Sequence, residues 1–223
     1  MKGYILIPFL ALEAALFILI QLWSFGLTDI FCFSSVLLAF LFSIFFARRS
    51  VNSVLLTLGL AFTVCADVFL VLFPDLSKEL AMIFFNAVQI CYLFIVLRGS
   101  NIEMRKVSLI FRAALISIAT VSAALILRDG FDFLAAISVI YFSNLFLNAV
   151  FSFSLEKKHL IFSIGLVLFI FCDIFVGLSV LSSDYLFASE ASLLYKLTHT
   201  GINLVWLFYL PSQSLIAISA RKI

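Results

Sequence analysis

Long apolar runs separated by short polar breaks dominate the pattern along the chain. A helix that spans a membrane needs roughly 20 apolar residues, because each residue adds about 1.5 Å along the helix axis. Runs of that length predict eight spans, at residues 4–25, 30–47, 51–73, 80–97, 107–127, 131–153, 159–181 and 196–219. Because the breaks are short, the pattern predicts one membrane-embedded helical bundle over residues 1–223 without a soluble domain.

The amino-acid composition leads to the same class. Hydrophobic residues make up 65% of the 223 residues and charged residues only 12%, whereas about a quarter of a soluble domain is charged. A soluble fold of this size could not hide so much apolar surface from water. We therefore predict an all-α, polytopic integral membrane protein whose main partner is the lipid bilayer. The net charge of +2, without blocks of like charge, gives no reason to expect nucleic-acid binding.

Basic residues are divided unevenly between the two ends of the predicted spans. One end has eleven Lys and Arg residues, and the other has three. Cytoplasmic loops are enriched in Lys and Arg, so the richer end is predicted to be cytoplasmic. Its residues are Lys2, Arg48, Arg49, Arg98, Arg105, Lys106, Arg112, Lys157, Lys158, Arg221 and Lys222. Both termini would then be cytoplasmic, in a bacterial inner membrane or, alternatively, an endomembrane.

Two of the predicted spans resemble each other. Span three has Gly59 followed by Asp67, and span seven has Gly165 followed by Asp173, with the same spacing of eight residues. The pattern Asp-[Val/Ile]-Phe-x-x-Leu follows in both spans, 106 residues apart. This predicts two four-span halves that cross the membrane in the same direction, as a parallel internal repeat.

Three acidic residues lie inside apolar runs, namely Glu13, Asp67 and Asp173. An ionisable group in a membrane helix is costly and is by default a functional candidate. Since Arg112 is assigned to the cytoplasmic side, no Lys or Arg inside the spans is expected to neutralise these acids. We expect at least one of them to carry a proton that it can donate. Alternatively, each acid only bonds a neighbouring helix, but the matched depth and context of Asp67 and Asp173 favour a facing pair.

Further polar residues inside the spans could line a cavity with these acids. They are Asn86 and Gln89 in span four, Asn144 and Asn148 in span six, and His199, Asn203, Trp206, Tyr209 and Gln213 in span eight. Their spacings of three, four and seven residues place members of each set on one helix face. Such residues either hold helices together, at about 1 kcal/mol each, or bind a ligand. A lone histidine more often has the first role, but the position of His199 above Asn203 on one predicted stripe raises the odds of the second.

Several kinds of chemistry have no signature in the sequence. The only histidines are His159 and His199, so no HExxH zinc site is present, and neither a GxSxG elbow nor a glycine-rich phosphate loop occurs. The four cysteines lie in apolar runs without CxxC spacing and are expected to be buried as small apolar residues. We therefore expect no metal site and no organic cofactor.

Four stretches, taken in order, resemble a known family. Residues 65–74 contain Asp67 and resemble the G-D-x-x-L-x-L-x-P stretch of the YhhN-like lysoplasmalogenases, and residues 171–178 resemble their S-D-x-x-L-x-L element. Residues 209–219 are similar to their closing Y-x-x-A-Q-x-L-I-x-x-S. Residues 87–92 match the place of A-H-x-x-Y, with Gln89 where the family has His. The resemblance extends from about residue 55 onward and implies an eight-span layout. The family's Lys-Pro at the start of the second span is absent from residues 29–33.

This resemblance implies an ether-bond hydrolase that cleaves the vinyl ether of a lysophospholipid. The products would be a fatty aldehyde and a glycerophospho head group. Asp67 and Asp173 would act as proton donor and carboxylate, in either order, as two carboxyl groups do in glycosidases. Residues expected to bind the substrate or orient water are Glu13, Asn86, Gln89, His199, Asn203, Tyr209 and Gln213.

Two other functions fit the same residues. Paired acids inside a parallel repeat are also typical of transporters of ions or small solutes, although spans three and seven lack the Gly or Pro interruptions common in transporter helices. A non-catalytic membrane scaffold would use the polar residues only to hold its helices together. The sequence leaves the substrate head group and the oligomeric state open.

Overall fold

A computed structural model describes residues 5–22, 26–180 and 202–223 of the chain. These ranges contain eight α-helices and no strand, which confirms the all-α prediction for this part of the protein. The helices are α1 (Leu6–Leu22), α2 (Thr28–Phe46), α3 (Val51–Asp67), α4 (Lys78–Gly99), α5 (Ile102–Leu127), α6 (Phe133–Ser152), α7 (Leu160–Val180) and α8 (Leu204–Ser219). A π-helix (Val68–Leu72) extends α3, and 3₁₀ turns occupy Arg128–Gly130 and Lys157–His159.

Six of these helices are long and apolar enough to cross a membrane: α2, α3 with its π-helical extension, α4, α5, α6 and α7. Helices α1 and α8 are also apolar, but they have only 17 and 16 residues. At about 1.5 Å per residue each is roughly 25 Å long, which is shorter than the hydrocarbon core of about 30 Å. The chain is therefore an integral membrane protein with six candidate spans, and the crossing of the membrane by α1 and α8 stays a prediction.

The predicted break between spans four and five is too long. Helix α4 continues to Gly99 and α5 already begins at Ile102. Asn101 starts α5, because its side chain accepts a hydrogen bond from a backbone N–H of the first turn. The charged residues Arg105 and Lys106 therefore lie on the exposed first turns of a helix and not in a loop. A helix can continue past the apolar run that crosses the membrane, so the run alone does not show where it ends.

The last helix begins later than predicted. Asn203 precedes α8 and accepts a hydrogen bond from the backbone N–H of Trp206 at 3.3 Å, which makes it the N-cap. The predicted helical stripe through Asn203 is therefore wrong, because the helix that carries Trp206 starts at Leu204. Asn203 also exchanges two hydrogen bonds with the side chain of Gln21, at 3.0 and 2.9 Å, so the end of α1 lies beside the start of α8.

Two helix pairs, α3 with α4 and α7 with α8, pack most closely in the bundle, and a glycine lies at each contact. A Cβ atom at Gly59 would lie 2.6 Å from Cε1 of Tyr92, and one at Gly165 would lie 2.7 Å from Cγ1 of Ile216. Both distances are well below van der Waals contact. The two glycines therefore determine how closely the helices that carry Asp67 and Asp173 approach their neighbours.

The remaining helices surround these pairs. Helix α2 packs on α1, α3 and α8, and α6 packs on α4, α5 and α7. Helix α5 is peripheral, and its only buried residues are Ser108 and Arg112. All four cysteines are free; Cys32, Cys91 and Cys172 are buried as predicted, whereas Cys65 is only partly buried.

The connection between α2 and α3 contacts the C-terminal residues. The backbone N–H of Arg48 and the hydroxyl of Ser53 both donate hydrogen bonds to the carbonyl of Ala220, at 3.4 and 3.0 Å. Ser50 donates to the carbonyl of Ile223 at 2.7 Å. The basic residues of this connection and those that follow α8 therefore lie at the same end of the bundle.

Candidate functional site

Asp67 lies at the point where α3 changes from α-helix to π-helix. Its side chain is buried, with 2% of its surface exposed, and its Oδ2 accepts a hydrogen bond from the Tyr209 hydroxyl of α8 at 2.8 Å. The N–H of Phe73 bonds the carbonyl of Val68 five residues earlier, which is the pattern that widens the helix after Asp67. Such π-helical turns are frequent at functional sites.

Asp173 lies on α7 in a regular α-helical turn and is partly buried. Its Oδ2 is buried and has no hydrogen-bond partner among the described residues. The Tyr141 hydroxyl of α6 is its hydrogen-bonding neighbour. Each acid is thus associated with a tyrosine from another helix, and of these two contacts the one between Tyr209 and Asp67 is the short, well-formed hydrogen bond.

The two acids belong to one cluster. The ring of Phe169 on α7 lies between the two tyrosines, with its centroid 5.4 Å from that of Tyr209 and 6.4 Å from that of Tyr141. The Tyr141 hydroxyl lies close enough to both Asp67 and Asp173 for the charge of each acid to act on it. The same is true of the buried thiol of Cys172. The structure therefore brings the acids from the two matching helices into a shared, aromatic-walled region of the bundle interior.

No basic residue accompanies these acids in the part of the chain that is described. The ion pair found there joins Lys158 and Glu156 at 2.9 Å, in the exposed connection between α6 and α7. The hydrogen bond and charge of Lys158 lower the pKa of Glu156. Among the described residues the acids of the cluster have no such cation beside them, so no residue of these ranges neutralises their charges in an ion pair.

Two further predicted site residues are buried and carry polar atoms without partners among the described residues. On α1, neither carboxyl oxygen of Glu13 has such a partner, and the Ser214 hydroxyl of α8 lies beside this carboxyl. Both amide atoms of Gln213 are also without partners, one helical turn from Tyr209 on α8. Unpaired buried polar groups are uncommon, and they leave Glu13 and Gln213 able to bond water or a ligand.

The amides of α4 bond mainly to α6. The side-chain N–H of Asn86 donates to the carbonyl of Ile137 at 3.1 Å and so joins these helices. Gln89 accepts two hydrogen bonds from the side chain of Asn148, on its backbone oxygen at 2.9 Å and on Oε1 at 3.0 Å. Its Nε2 has no partner in the described ranges. Asn86 is therefore engaged in helix packing, whereas Gln89 retains one free donor.

Of the remaining two predicted residues, only Asn203 lies in the described ranges. Asn203 is exposed and caps α8. His199 lies outside the described residues.

Two residues that the sequence analysis did not identify as part of a site are prominent in the structure. Tyr141 beside Asp173 gave no signal, because a tyrosine in an apolar run looks like a lipid-facing aromatic residue. Arg112 was counted with the basic residues of the cytoplasmic end, but it is buried within α5 and hydrogen bonds Asn144 and Asn148 of α6. The expectation that no arginine lies inside the spans is therefore wrong, and the position of Arg112 inside the predicted span 107–127 was the available signal.

Comparison with known proteins gives one match. A family model described as the YhhN family matches residues 27–220, which is most of the chain and includes both acids of the cluster. Comparisons with curated proteins and with solved structures each gave no significant match.

Proposed function

We propose a membrane lipid hydrolase, starting from the premise that the chain belongs to the YhhN family. The proposed reaction is hydrolysis of the vinyl ether of a lysophospholipid, which gives a fatty aldehyde and a glycerophospho alcohol. The observation that carries this proposal is the buried cluster that contains Asp67 and Asp173 without a basic neighbour among the described residues. The family membership supports a hydrolase-type role, and the two carboxyl groups supply chemistry that suits this bond.

Hydrolysis of a vinyl ether needs a proton on carbon. One carboxyl group donates its proton to the vinyl carbon that is not bonded to oxygen, and the double bond supplies the electron pair. The resulting oxocarbenium ion is stabilised by the second carboxyl group in its carboxylate form, as in glycosidases. That carboxylate then accepts a proton from water while the water oxygen bonds the cationic carbon. In the collapse of the hemiacetal the second carboxyl group gives its proton to the leaving oxygen, and the first, now a carboxylate, takes the proton of the hemiacetal hydroxyl. The C–O bond then breaks to release aldehyde and alcohol, and both carboxyl groups return to their starting states.

The hydrogen bonds favour one assignment of these roles. An ionised carboxylate only accepts hydrogen bonds, and Asp67 Oδ2 accepts one from Tyr209. Asp173 keeps an oxygen without a partner among the described residues, and that oxygen can carry a proton to a ligand. We therefore assign Asp173 as the proton donor and Asp67 as the carboxylate. Gln213, one turn from Tyr209, is placed in the role of orienting water.

Tyr209→Phe tests the proposed carboxylate role of Asp67. A hydrogen bond to a charged group is worth about 1.5–3 kcal/mol, so its loss should slow aldehyde release about tenfold or more. The matched control is Tyr92→Phe, because the hydroxyl of Tyr92 is also buried but lies beside the neutral Thr63 hydroxyl and not beside a carboxyl group. Aldehyde release by the two purified variants is measured, and Tyr209→Phe should be the slower. Equal rates would show that the Tyr209 hydroxyl has no part in the mechanism.

The proposal includes an internal repeat. Gly59 and Gly165 are 106 residues apart, like Asp67 and Asp173, and the residues that these glycines meet, Tyr92 and Ile216, are 124 residues apart. The larger offset matches the longer connection between α7 and α8. The helix pairs also correspond, since α4 packs on α6 as α8 packs on α2. These correspondences support two related halves that each contribute one acid.

The same proposal places the basic end of the bundle in the cytoplasm. The excess of Lys and Arg at this end supports that orientation, with both termini cytoplasmic. A bacterial inner membrane fits this distribution, and the lysophospholipid substrate would enter sideways from the bilayer among the Phe-rich helices.

Transport of an ion or small solute is the second candidate. It is favoured by one observation, the π-helix directly after Asp67, because interrupted spanning helices are typical of transporter binding sites. Asp173 lies in an uninterrupted helix, however, so the two halves do not share this feature.

One assay separates the two candidates. The purified chain in detergent is incubated with a lysoplasmalogen, and the released aldehyde is quantified. We expect aldehyde to form in proportion to the amount of protein. If no aldehyde forms from any vinyl ether lysolipid, while vesicles that contain the protein show protein-dependent ion flux, the hydrolase proposal is wrong.

A further inference from the structure

Arg112 is the starting point, because it is a buried cation inside a spanning helix. It lies ten residues after the start of α5, and only 6% of its surface is exposed. Its guanidinium donates to the side-chain oxygen of Asn144 and, at 2.9 Å, to that of Asn148. Asn148 in turn donates to Gln89 of α4. Hydrogen bonds between polar side chains thus connect the three helices α4, α5 and α6.

The positive charge of Arg112 is not balanced by the side chains that it contacts. Asn144, Asn148 and Gln89 are neutral, and no acidic side chain among the described residues forms an ion pair with Arg112. A buried charge without an opposite charge is costly by several kcal/mol. Helix packing alone would need only the amides, so a positive charge at this position calls for a further reason.

The connected side chains of Arg112 and Gln89 also retain two buried hydrogen-bond donors. Arg112 Nε and Gln89 Nε2 have no hydrogen-bond partner in the described ranges. A buried N–H group without an acceptor costs about 1–3 kcal/mol. A single anionic ligand with several oxygens would accept these bonds and balance the charge, and phosphate groups are frequent partners of arginine.

We propose that Arg112 and Gln89 bind the anionic phosphodiester of a lipid, as the head-group subsite of the hydrolase; this rests on the proposed function. On α6, Arg112 bonds Asn144 and Asn148, whereas the neighbour of Asp173 is Tyr141, earlier in the same helix. Because α6 ends at the basic end, next to Lys157 and Lys158, Arg112 lies nearer that end than Asp173. A lysophospholipid with its vinyl ether at the acids would thus have its phosphate directed toward the basic end, where Arg112 lies.

Binding of a lipid that cannot be cleaved tests the subsite without requiring catalysis. The probes are a saturated 1-alkyl lysophospholipid and the corresponding 1-alkylglycerol without phosphate, each titrated into the purified full chain in detergent. Arg112→Gln should weaken binding of the phosphate-bearing lipid about tenfold or more and leave the alkylglycerol unchanged. Arg112→Lys, which keeps the charge, should retain most of the affinity. Equal losses for both probes, or no loss for either, would overturn the proposal.

A second variant tests the subsite even if Arg112→Gln does not fold. Asn144→Asp places a carboxylate beside the guanidinium with almost no change in shape, so it should raise the unfolding temperature while it weakens binding of the phosphate-bearing probe. A stabilised variant with unchanged affinity would show that Arg112 serves packing only.

A diacyl phospholipid distinguishes the two possible sources of the phosphate. If Arg112→Gln weakens binding of the diacyl lipid but not of the lysolipid, the site belongs to a bilayer lipid and the substrate subsite is rejected. If Arg112 affects the lysolipid although no vinyl ether is cleaved by the wild-type chain, the subsite stands and the hydrolase proposal alone fails.

Discussion

Asp173→Asn and Asp67→Asn are each expected to reduce aldehyde release by about a hundredfold to ten-thousandfold, the range that a positioned acid or base contributes. Asparagine has nearly the shape of aspartate but cannot deliver or accept a proton at this site. The rate of aldehyde formation under saturating lysoplasmalogen measures the effect. The acids are proposed to act as a unit, so the double variant should be little slower than the slower single variant.

The control for these variants is Asp75→Asn. Asp75 is exposed in the connection between α3 and α4, a few residues beyond Asp67, so its charge can be removed without affecting the cluster. It should have the wild-type rate, and all three variants should unfold near the wild-type temperature. If both Asp67→Asn and Asp173→Asn retain wild-type activity, the carboxyl mechanism is excluded.

Gly165→Ala is expected to destabilise the protein by about 1–3 kcal/mol, the usual effect of adding a group to a well-packed interior. The added methyl group would lie 2.7 Å from a side-chain atom of Ile216 and 3.2 Å from the backbone oxygen of Ser212. Backbone atoms of α8 can move away only if the two helices separate. Because α8 also carries Tyr209, we expect aldehyde release to fall together with the unfolding temperature.

The same helix provides the matched control. At Gly177 on α7, no atom of another helix in the described ranges lies within 4 Å of an added Cβ. Gly177→Ala should therefore be neutral or slightly stabilising, because alanine favours helices over glycine. Thermal unfolding of both variants in one detergent measures the difference. If Gly165→Ala proves as stable as Gly177→Ala, close packing of α7 on α8 does not depend on this glycine.

Much of the fold could be predicted because lipid imposes a simple rule on the sequence. A spanning helix has to be apolar over most of its length, so the runs themselves revealed the helices. Their ends were less predictable. Asn101 and Asn203 start helices through side-chain hydrogen bonds, and these local contacts are not visible in the average hydropathy of a run.

The candidate site could be predicted only in part. Asp67 and Asp173 stood out because an acid in an apolar run is rare and costly. Tyr141 did not, since an aromatic residue fits equally well against lipid or inside the bundle, and only the packing of α6 on α7 places it beside Asp173. Arg112 was counted with the basic loop residues because it is close to them in sequence, whereas the rotation of α5 turns it toward Asn148 inside the bundle.

The isotope content of the aldehyde formed in D₂O tests the central claim most directly. Wild-type protein is incubated with a lysoplasmalogen in D₂O, the aldehyde is reduced to the alcohol as it forms, and its mass is determined. Proton transfer from an intramembrane acid to carbon predicts one deuterium on the carbon next to the former aldehyde group. Aldehyde without this deuterium, or a fatty acid in place of the aldehyde, would contradict the account.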